Sequence, residues 1–364
     1  MIWNWWYKKE KPLPSFASFG GGTGGLSASA GASWEPSGIT ATGGTKHTNQ
    51  NNPDGTPYTW HVFPGGPRGP ESPMPYTFSV SAVNGPGKIE YIVMAGGGMG
   101  GISPNPDPNG NYGGAGGGGA GGLICNFESP PLQETKTYHP KYPVSPGAMT
   151  VSASPGSYAI EVGRAAAGAP APERQGKNST FNGLTAVGGG AGARSGNPPG
   201  LSAQQGGCGG GGSSNSPAGN GPSSPTQGKS GGDGVPGGAS TGKGGGGGGA
   251  GGDGGPGGGD GGVGILFDDA GFFKLSVGGI TDNPTQPGYR YLAGGGGGGG
   301  TENAPSSDGE GGYGGGGDAG NPNGNGGNAD NWSGGGGGAA GGGTNTKPGG
   351  HGGQGMLFIR YIAD

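Results

Sequence analysis

The sequence predicts an all-β protein: an antiparallel β-sandwich with an attached bundle of polyglycine-II helices and almost no α-helix. Three observations support this prediction. Seven blocks of nearly pure glycine interrupt the chain. Between them lie about ten short apolar segments that have the length and composition of β-strands. No long stretch shows the 3.6-residue apolar period of an amphipathic helix.

The glycine content by itself would favour disorder or collagen. The 364 residues include 107 glycines and 34 prolines, a fraction typical of low-complexity chains. Disordered chains are usually rich in charge, whereas only 11% of these residues are charged and the apolar ones cluster in short runs. Collagen places glycine at every third position, and the unbroken glycines at 294–300 violate that period. An ordered fold built on glycine is therefore expected.

The strand predictions rest on apolar segments bounded by proline and glycine turns. In residues 76–83, for example, apolar side chains occupy every second position, which indicates a half-buried antiparallel strand. The predicted strands are residues 58–63, 76–83, 88–95, 122–127, 148–153, 158–162, 179–187, 264–267, 272–277 and 356–362.

The glycine blocks need a different kind of order. An extended glycine run favours a helix with three residues per turn and a rise of about 3.1 Å, which makes no internal hydrogen bonds. Parallel packing of several such helices would let each N–H reach a neighbouring carbonyl, because no Cβ keeps the backbones apart. The residues between the blocks would then gather as turns at the ends of the bundle. These turns are residues 213–224, 301–310, 318–332 and 343–348.

Three regions follow from this pattern. Residues 1–40 form an N-terminal aromatic arm, residues 41–187 contribute the sandwich strands with the first polyglycine segment, and residues 188–364 contribute the polyglycine-II bundle with its loops and closing strands. The arm carries Trp3, Trp5, Trp6 and Tyr7. These aromatic residues either fill a core in the same chain or anchor the subunit to a neighbour, since aromatic side chains are favoured at interfaces.

The chain resembles the glycine-rich tail-fibre proteins of bacteriophages, including those of phages that infect marine cyanobacteria. The resemblance is carried by the order of YTFSV, KIEYIVMAGGG, GGAGGGGAGG, YAIEVG, GKNSTFNGLTAVGGG and the final GGQGMLFIRYI over residues 40–364. It implies the polyglycine-II sandwich of the receptor-binding adhesins at phage fibre tips. The extracellular glycine-rich region of anaplastic lymphoma kinase is similar in combining polyglycine helices with a TNF-like sandwich, so a jelly-roll or TNF-like arrangement is expected.

This resemblance predicts a virion protein that is assembled in the host cytoplasm. The first hypothesis is a tail-fibre or fibre-tip adhesin whose loops contact lipopolysaccharide or an outer-membrane protein of the host. The candidate receptor contacts are aromatic residues in polar loops, namely Tyr112, Tyr313 and Trp332. The second hypothesis is a non-adhesive decoration, neck or fibre-connector subunit. Other tail or fibre proteins are partners under both hypotheses, and both a homotrimer and a monomer that caps a trimer fit the resemblance.

The sequence offers little for catalysis. None of His47, His61, His139 and His351 lies in a metal-binding pattern, and no glycine-rich loop has the phosphate-binding spacing. We therefore expect no catalytic, cofactor or metal site. The lysines and arginines are scattered at a net charge of −4, which argues against nucleic acid. No secretory signal or membrane-spanning segment is expected, and the two cysteines are expected to be free thiols.

Overall fold

A computed structural model of the chain describes most residues of the compact unit Glu35–Asp364. The described residues are 36–51, 57–104, 113–126, 149–168, 174–196, 201–216, 218–221, 227–237, 241–268, 289–301, 308–343 and 346–363. None of them lies in a helix, and several antiparallel sheets are present, so the predicted all-β class is confirmed. The predicted strand 272–277 lies outside the described residues.

Thirteen strands are formed within this part of the chain. They are β1 (Ile39–Thr42), β2 (Thr45–Asn51), β3 (Pro57–Pro64), β4 (Met74–Val83), β5 (Lys88–Met94), β6 (Leu123–Cys125), β7 (Met149–Thr150), β8 (Ser157–Val162), β9 (Ser179–Phe181), β10 (Leu184–Ala186), β11 (Ile265–Asp268), β12 (Tyr289–Leu292) and β13 (Met356–Ile362). The sequence prediction missed β1, β2 and β12. β1 and β2 are rich in threonine and other polar residues, so their apolar signal is weak. β12 (YRYL) is only four residues long and was missed although three of its residues are aromatic or aliphatic.

Two antiparallel sheets form the sandwich. Sheet A has the strand order β1-β4-β8-β9-β10, and sheet B has the order β2-β3-β13-β5-β6, with β7 paired to β5 outside that path. The strand β13 pairs with β3 and β5 and so lies at the middle of sheet B, although it is the last strand in sequence. The sandwich therefore closes only when distant parts of the chain come together.

Residues 179–187 form a tight hairpin rather than the single predicted strand. Strands β9 and β10 pair directly, with Leu184 opposite Phe181. The two residues between them, Asn182 and Gly183, both have positive φ angles, of 45° and 81°. Two-residue hairpin turns of this kind favour asparagine followed by glycine, which is the sequence found here.

The core between the two sheets is aromatic and aliphatic. It includes Phe63, Phe78, Tyr91, Phe181 and Ile359, all fully buried. The rings of Tyr91 and Phe181 meet edge to face, with centroids 5.9 Å apart. These contacts hold sheet A against sheet B.

One histidine is buried inside this core. His61 of β3 is fully buried, its Nδ1–H donates to the Gly43 carbonyl at 2.7 Å, and its Nε2 accepts from the Tyr361 hydroxyl at 3.1 Å. Burial lowers the pKa of His61 from 6.5 to about 4, against the opposing effect of the Gly43 carbonyl. The imidazole is therefore neutral in the folded protein at neutral pH.

The second face of sheet B is also buried. Trp60, Ile92 and Phe358 form an apolar cluster on this side with Ile265 of β11 and Leu292 of β12. The antiparallel pair of β11 and β12 thus covers part of sheet B, and the glycine segments pack beside it. A sheet that is buried on both faces explains why β3, β5 and β13 are apolar along almost their whole length.

The glycine blocks form straight segments, here called rods, that hydrogen-bond to one another through their backbones. The central rod is residues 113–122, and all of its residues are buried. It has six neighbours, which are residues 95–101, 187–193, 208–214, 242–248, 296–299 and 334–340. The central rod donates N–H groups to three of these neighbours and accepts from the other three.

The hydrogen bonds of the central rod repeat every third residue. Those to one neighbour, with their N···O distances, are Gly114–Gly242 (2.9 Å), Gly117–Gly245 (2.9 Å) and Ala120–Gly248 (3.0 Å). Residues 115, 118 and 121 donate in the same way to residues 340, 337 and 334. A three-residue repeat is what the polyglycine-II conformation requires, and we interpret the rods in that way. Five of the six neighbours run antiparallel to the central rod, and residues 242–248 run parallel to it.

The strands of sheet B continue directly into rods. Residues 95–101 follow β5, the central rod precedes β6, and residues 350–355 precede β13. In the sheet, Met94 pairs with both Leu123 and Met356, so the three segments that contain these residues leave the sandwich side by side. The sandwich therefore fixes the register with which the bundle begins.

Lowering the pH should weaken the fold through His61. The histidine pKa is about 6.5 in the unfolded chain and about 4 in the folded one, so the unfolded state binds more protons between these values. The free energy of unfolding has its full value above about pH 6.5 and falls by about 3 kcal/mol as the pH drops to about 4. Denaturant unfolding across this range should show that slope, and His61→Gln should remove most of it. An unchanged slope in the variant would contradict this assignment.

Adding one methyl group inside the bundle should be severely destabilising. A Cβ on Gly297 would overlap the carbonyl oxygen of Gly309, and both partners are backbone atoms that cannot rotate away. We expect Gly297→Ala to cost about 3 kcal/mol, at the upper end of overpacking effects. The matched control is Gly221→Ala, whose added Cβ has no neighbour nearer than 3.9 Å. Similar thermal unfolding of the two variants would refute the packed-rod interpretation.

Candidate functional surface

The bundle has two ends, which the strand connections identify. The proximal end adjoins the sandwich, where residues 95–101 leave β5. The distal end lies beyond Gly114, which is in register with Gly242 and Gly299. The described residues at the distal turns are 103–104, 195–196, 213–216, 235–237, 257–260, 300–301, 308, 321–325, 342–343 and 346–347.

One carboxylate at the distal end is partly withdrawn from solvent. The Oδ1 atom of Asp308 accepts the N–H of Gly300 at 3.0 Å. Burial raises the pKa of Asp308, while the Gly300 N–H and the charge of Lys243 act in the opposite direction. The carboxylate therefore hydrogen-bonds to the last residue of the rod 294–300.

The structure locates two of the predicted receptor contacts, and both lie at the proximal end. Tyr313 is 45% exposed, and its ring packs on the ring of Tyr291 of β12 at 5.6 Å. Trp332 is half-buried against the apolar cluster of sheet B, and its indole N–H donates to the Gly65 carbonyl at 3.2 Å. Trp332 therefore packs on its own scaffold, whereas Tyr313 presents much of its ring to solvent.

The remaining predicted contacts fall outside the described residues. These are Tyr112 and the four aromatic residues of the arm, Trp3, Trp5, Trp6 and Tyr7. The predicted turn 318–332 has a different structure from the one expected. It consists of two antiparallel rods, residues 317–323 and 325–331, which are joined at the distal end and linked by the Gly327 N–H to the Asp318 carbonyl at 2.7 Å.

Three neighbouring rods at the edge of the bundle display side chains at every third position. They are residues 309–313, 317–323 and 325–331, and the Ala319 N–H joins the first two by donating to the Gly309 carbonyl. Their exposed residues are Glu310, Tyr313, Asp318, Asn321, Asn325, Asn328 and Asn331. We call these seven residues the asparagine face.

The three-residue spacing of this face follows from how each rod packs. In the rod 317–323, Gly317 and Gly320 are buried and donate to the inner rod 334–342, at Gly336 and Ala339. The position after each buried glycine is exposed at the surface of the bundle, where a side chain has room. Two of the outward side chains, Asp318 and Asn328, also accept a neighbouring N–H.

Asparagine and aspartate side chains also complete the hydrogen bonding at the edges of the bundle. A rod at the surface lacks a neighbour on one side, so some of its N–H groups have no backbone acceptor. In several places a side-chain Oδ1 accepts instead at 2.8–2.9 Å. The acceptor and N–H pairs are Asp233 with Gly219, Asp253 with Ser230, Asp260 with Glu310, Asp318 with Gly311 and Asn328 with His351.

The described residues show no constellation suited to metal or thiol chemistry. No group of three histidine, cysteine or acidic side chains among them could hold a metal ion. Cys125 and Cys208 are both buried and form no disulfide, as predicted, and burial raises the pKa of the Cys208 thiol. The portion of the chain that can be described has no helix able to cross a membrane.

The sequence prediction named Tyr313 as a candidate contact but did not name the asparagines around it. The signal was present in GEGGYG and in NGNGGNADN, where non-glycine residues recur three apart. A three-residue period in the substituents of a glycine run indicates a rod at the surface. An unbroken glycine run indicates a rod inside the bundle.

A family model described as a glycine-rich domain matches residues 72–362. No curated protein and no solved structure matches the chain. The matched residues span most of the sandwich and the whole described bundle.

Removing one of the capping carboxylates should loosen the edge of the bundle. In Asp260→Ala the N–H of Glu310 loses its acceptor at 2.9 Å, which should cost about 1 kcal/mol. Asp260→Asn keeps an Oδ1 acceptor and should lose much less. Thermal unfolding of the two variants measures the difference, and hydrogen exchange at Glu310 should be faster only in the alanine variant. Equal unfolding temperatures and equal exchange rates in both variants would show that the Asp260 side chain does not stabilise the edge of the bundle.

Proposed function

The chain belongs to the glycine-rich domain family, and we propose that it is a structural protein of a bacteriophage virion, most specifically a tail-fibre or fibre-tip adhesin. In this proposal the arm of residues 1–40 docks onto other tail or fibre proteins. The bundle presents its turns and surface residues to a receptor on the host cell, either lipopolysaccharide or an outer-membrane protein. The phage assignment is supported by the sequence resemblance, and the family match supports the glycine-rich architecture.

The observation that carries the adhesin proposal is the difference in composition between the interior and the surface of the bundle. Interior rods such as residues 113–122 are glycine and alanine with backbone hydrogen bonds to six neighbouring segments. The exposed polar side chains lie in turns and at outward positions of the surface rods. Such an arrangement is a rigid support that holds many surface groups in fixed positions, as binding proteins require.

The adhesin proposal also specifies the partners of the chain. The arm residues Trp3, Trp5, Trp6 and Tyr7 would anchor the subunit by inserting aromatic rings into a neighbouring virion protein. The subunit would act as a homotrimer or as a monomer that caps a trimeric fibre. No catalysis, cofactor, nucleic acid or membrane insertion forms part of this function.

A second function uses the same rigidity without adhesion. A decoration, neck or fibre-connector subunit would need the docking arm and a stiff spacer, and the continuous path from sheet B into the rods suits a spacer. The two functions differ in one property, which is whether the isolated chain binds host cells.

Competition for adsorption distinguishes the two functions. The purified full chain should bind host cells and slow the adsorption of virions that carry it, because it would occupy the receptor. A variant that lacks residues 1–19 should still bind cells but should not be incorporated into virions. A folded chain that is found in the virion but neither binds cells nor competes would support the connector function. Absence of the chain from purified virions would overturn both.

A further inference from the structure

The asparagine face continues along the length of the bundle as a regular array of amide groups. Asn325, Asn328 and Asn331 lie three residues apart on one rod, which places them about 9 Å apart along it. Asn321 and Asp318 continue the same pattern on the antiparallel neighbour. An array of this kind can meet a ligand whose hydrogen-bonding groups also recur at regular intervals.

The amide groups of this array are available for binding. The side chains of Asn321, Asn325 and Asn331 make no hydrogen bond within the described part of the chain. Asn328 uses only its Oδ1, which accepts the His351 N–H at 2.9 Å. Each amide therefore offers an N–H donor to a ligand, and most also offer a carbonyl acceptor.

The charges of the face restrict the ligand. Residues 308–331 contain no lysine or arginine, whereas Glu310 and Asp318 place carboxylates on the face. These carboxylates repel anionic groups such as phosphates or uronates, and the partly buried guanidinium of Arg68, which donates to the Ala329 carbonyl and interacts with Asp330, offsets only part of that charge. A flat, apolar protein surface is also a poor match, because the face has a single large apolar side chain.

That apolar side chain is Tyr313, at the proximal end of the face. The turn that contains it packs against the turn that follows Asn331, since the Asp330 N–H donates to the Gly315 carbonyl at 2.9 Å. The ring of Tyr313 rests on Tyr291 and is 45% exposed. An aromatic ring held beside donors and acceptors combines an apolar surface with hydrogen-bonding groups, which suits the C–H and O–H groups of a sugar.

We propose that the asparagine face binds a neutral, linear polysaccharide chain. Its hydroxyl groups bond to the amides of Asn321, Asn325, Asn328 and Asn331, and one sugar ring packs on Tyr313. This inference rests on the proposed adhesin function and specifies the chemical class of the receptor. It locates binding along the side of the bundle as well as at the distal turns.

Binding of the full chain to polysaccharides in affinity electrophoresis tests the proposal. The probes are the neutral polysaccharides dextran, mannan and galactan, together with glycan chains released from host cells, and hyaluronate serves as an acidic control. At least one neutral probe should retard the chain, and hyaluronate should not. Replacing three residues in N325D/N328D/N331D keeps every Oδ1 acceptor, including the one for His351, but removes the N–H donors. Loss of three hydrogen bonds should weaken binding by at least about tenfold.

Matched variants separate binding from folding. Asn84→Ala alters an exposed asparagine of the sandwich and should leave polysaccharide binding unchanged. Tyr313→Ala should weaken binding without a large change in thermal unfolding. The proposal is overturned if the folded chain binds no neutral probe, or if the triple variant unfolds at the same temperature as the original chain and binds equally well.

The same measurements keep this inference distinct from the adhesin function. A chain that adsorbs to host cells but binds no neutral polysaccharide would refute the glycan inference and leave the adhesin function in place. A chain that binds a neutral polysaccharide through Asn325, Asn328 and Asn331 but neither adsorbs to cells nor occurs in virions would support the glycan inference and refute the adhesin function.

Discussion

The backbone hydrogen bond between neighbouring rods is the interaction on which the rest of this structure depends. In an ordinary domain, side chains fill the core and the backbone is satisfied within helices and sheets. Here the central rod 113–122 satisfies its N–H and C=O groups through six separate segments. Because rows of hydrogen bonds leave the rod in several directions, almost no position has room for a Cβ. The glycine content is the direct consequence of this packing.

The same constraint determines the surface. A rod at the edge of the bundle lacks one or more neighbours, so one position in three is released from the requirement for glycine. The chain uses these positions in two ways. Some hold aspartate or asparagine residues whose Oδ1 atoms accept an otherwise unpaired N–H, as Asp318 does for Gly311. Others, such as Asn325 and Tyr313, project into solvent and form the asparagine face. The geometry of the candidate binding surface is thus set by the interior.

Much of the sandwich could be predicted from the sequence, because its strands carry a clear apolar signal. Residues 76–83 show apolar side chains at every second position, and residues 356–362 are a nearly continuous apolar run. The polar edge strand β2 has no such signal and depends on pairing with β3. For the bundle, composition predicted rods but gave neither their neighbours nor their directions, since one glycine run is chemically the same as another. Several alanines, including Ala115 and Ala339, fit inside the bundle, and only the packed structure shows which positions tolerate them.

The candidate site was harder to predict for a related reason. Tyr313 and Trp332 are similar in sequence, as single aromatic residues within polar segments. Their roles diverge because Gly65 and the apolar cluster of sheet B lie next to Trp332 but not next to Tyr313. Tertiary neighbours decide which aromatic ring remains exposed, and a local pattern contains no information about them.

The central rod has a consequence for how the chain reaches its native state. Its partners are spread from residue 95 to residue 340, and sheet B requires β13 at residues 356–362. Nearly every stabilising contact in the bundle therefore closes a long loop, and folding dominated by such contacts is slow. A chain emerging from the ribosome cannot complete the central rod until its last neighbour has been synthesised. Until then the glycine segments gain little by ordering, so assembly should occur late and nearly all at once, with the sandwich supplying the template.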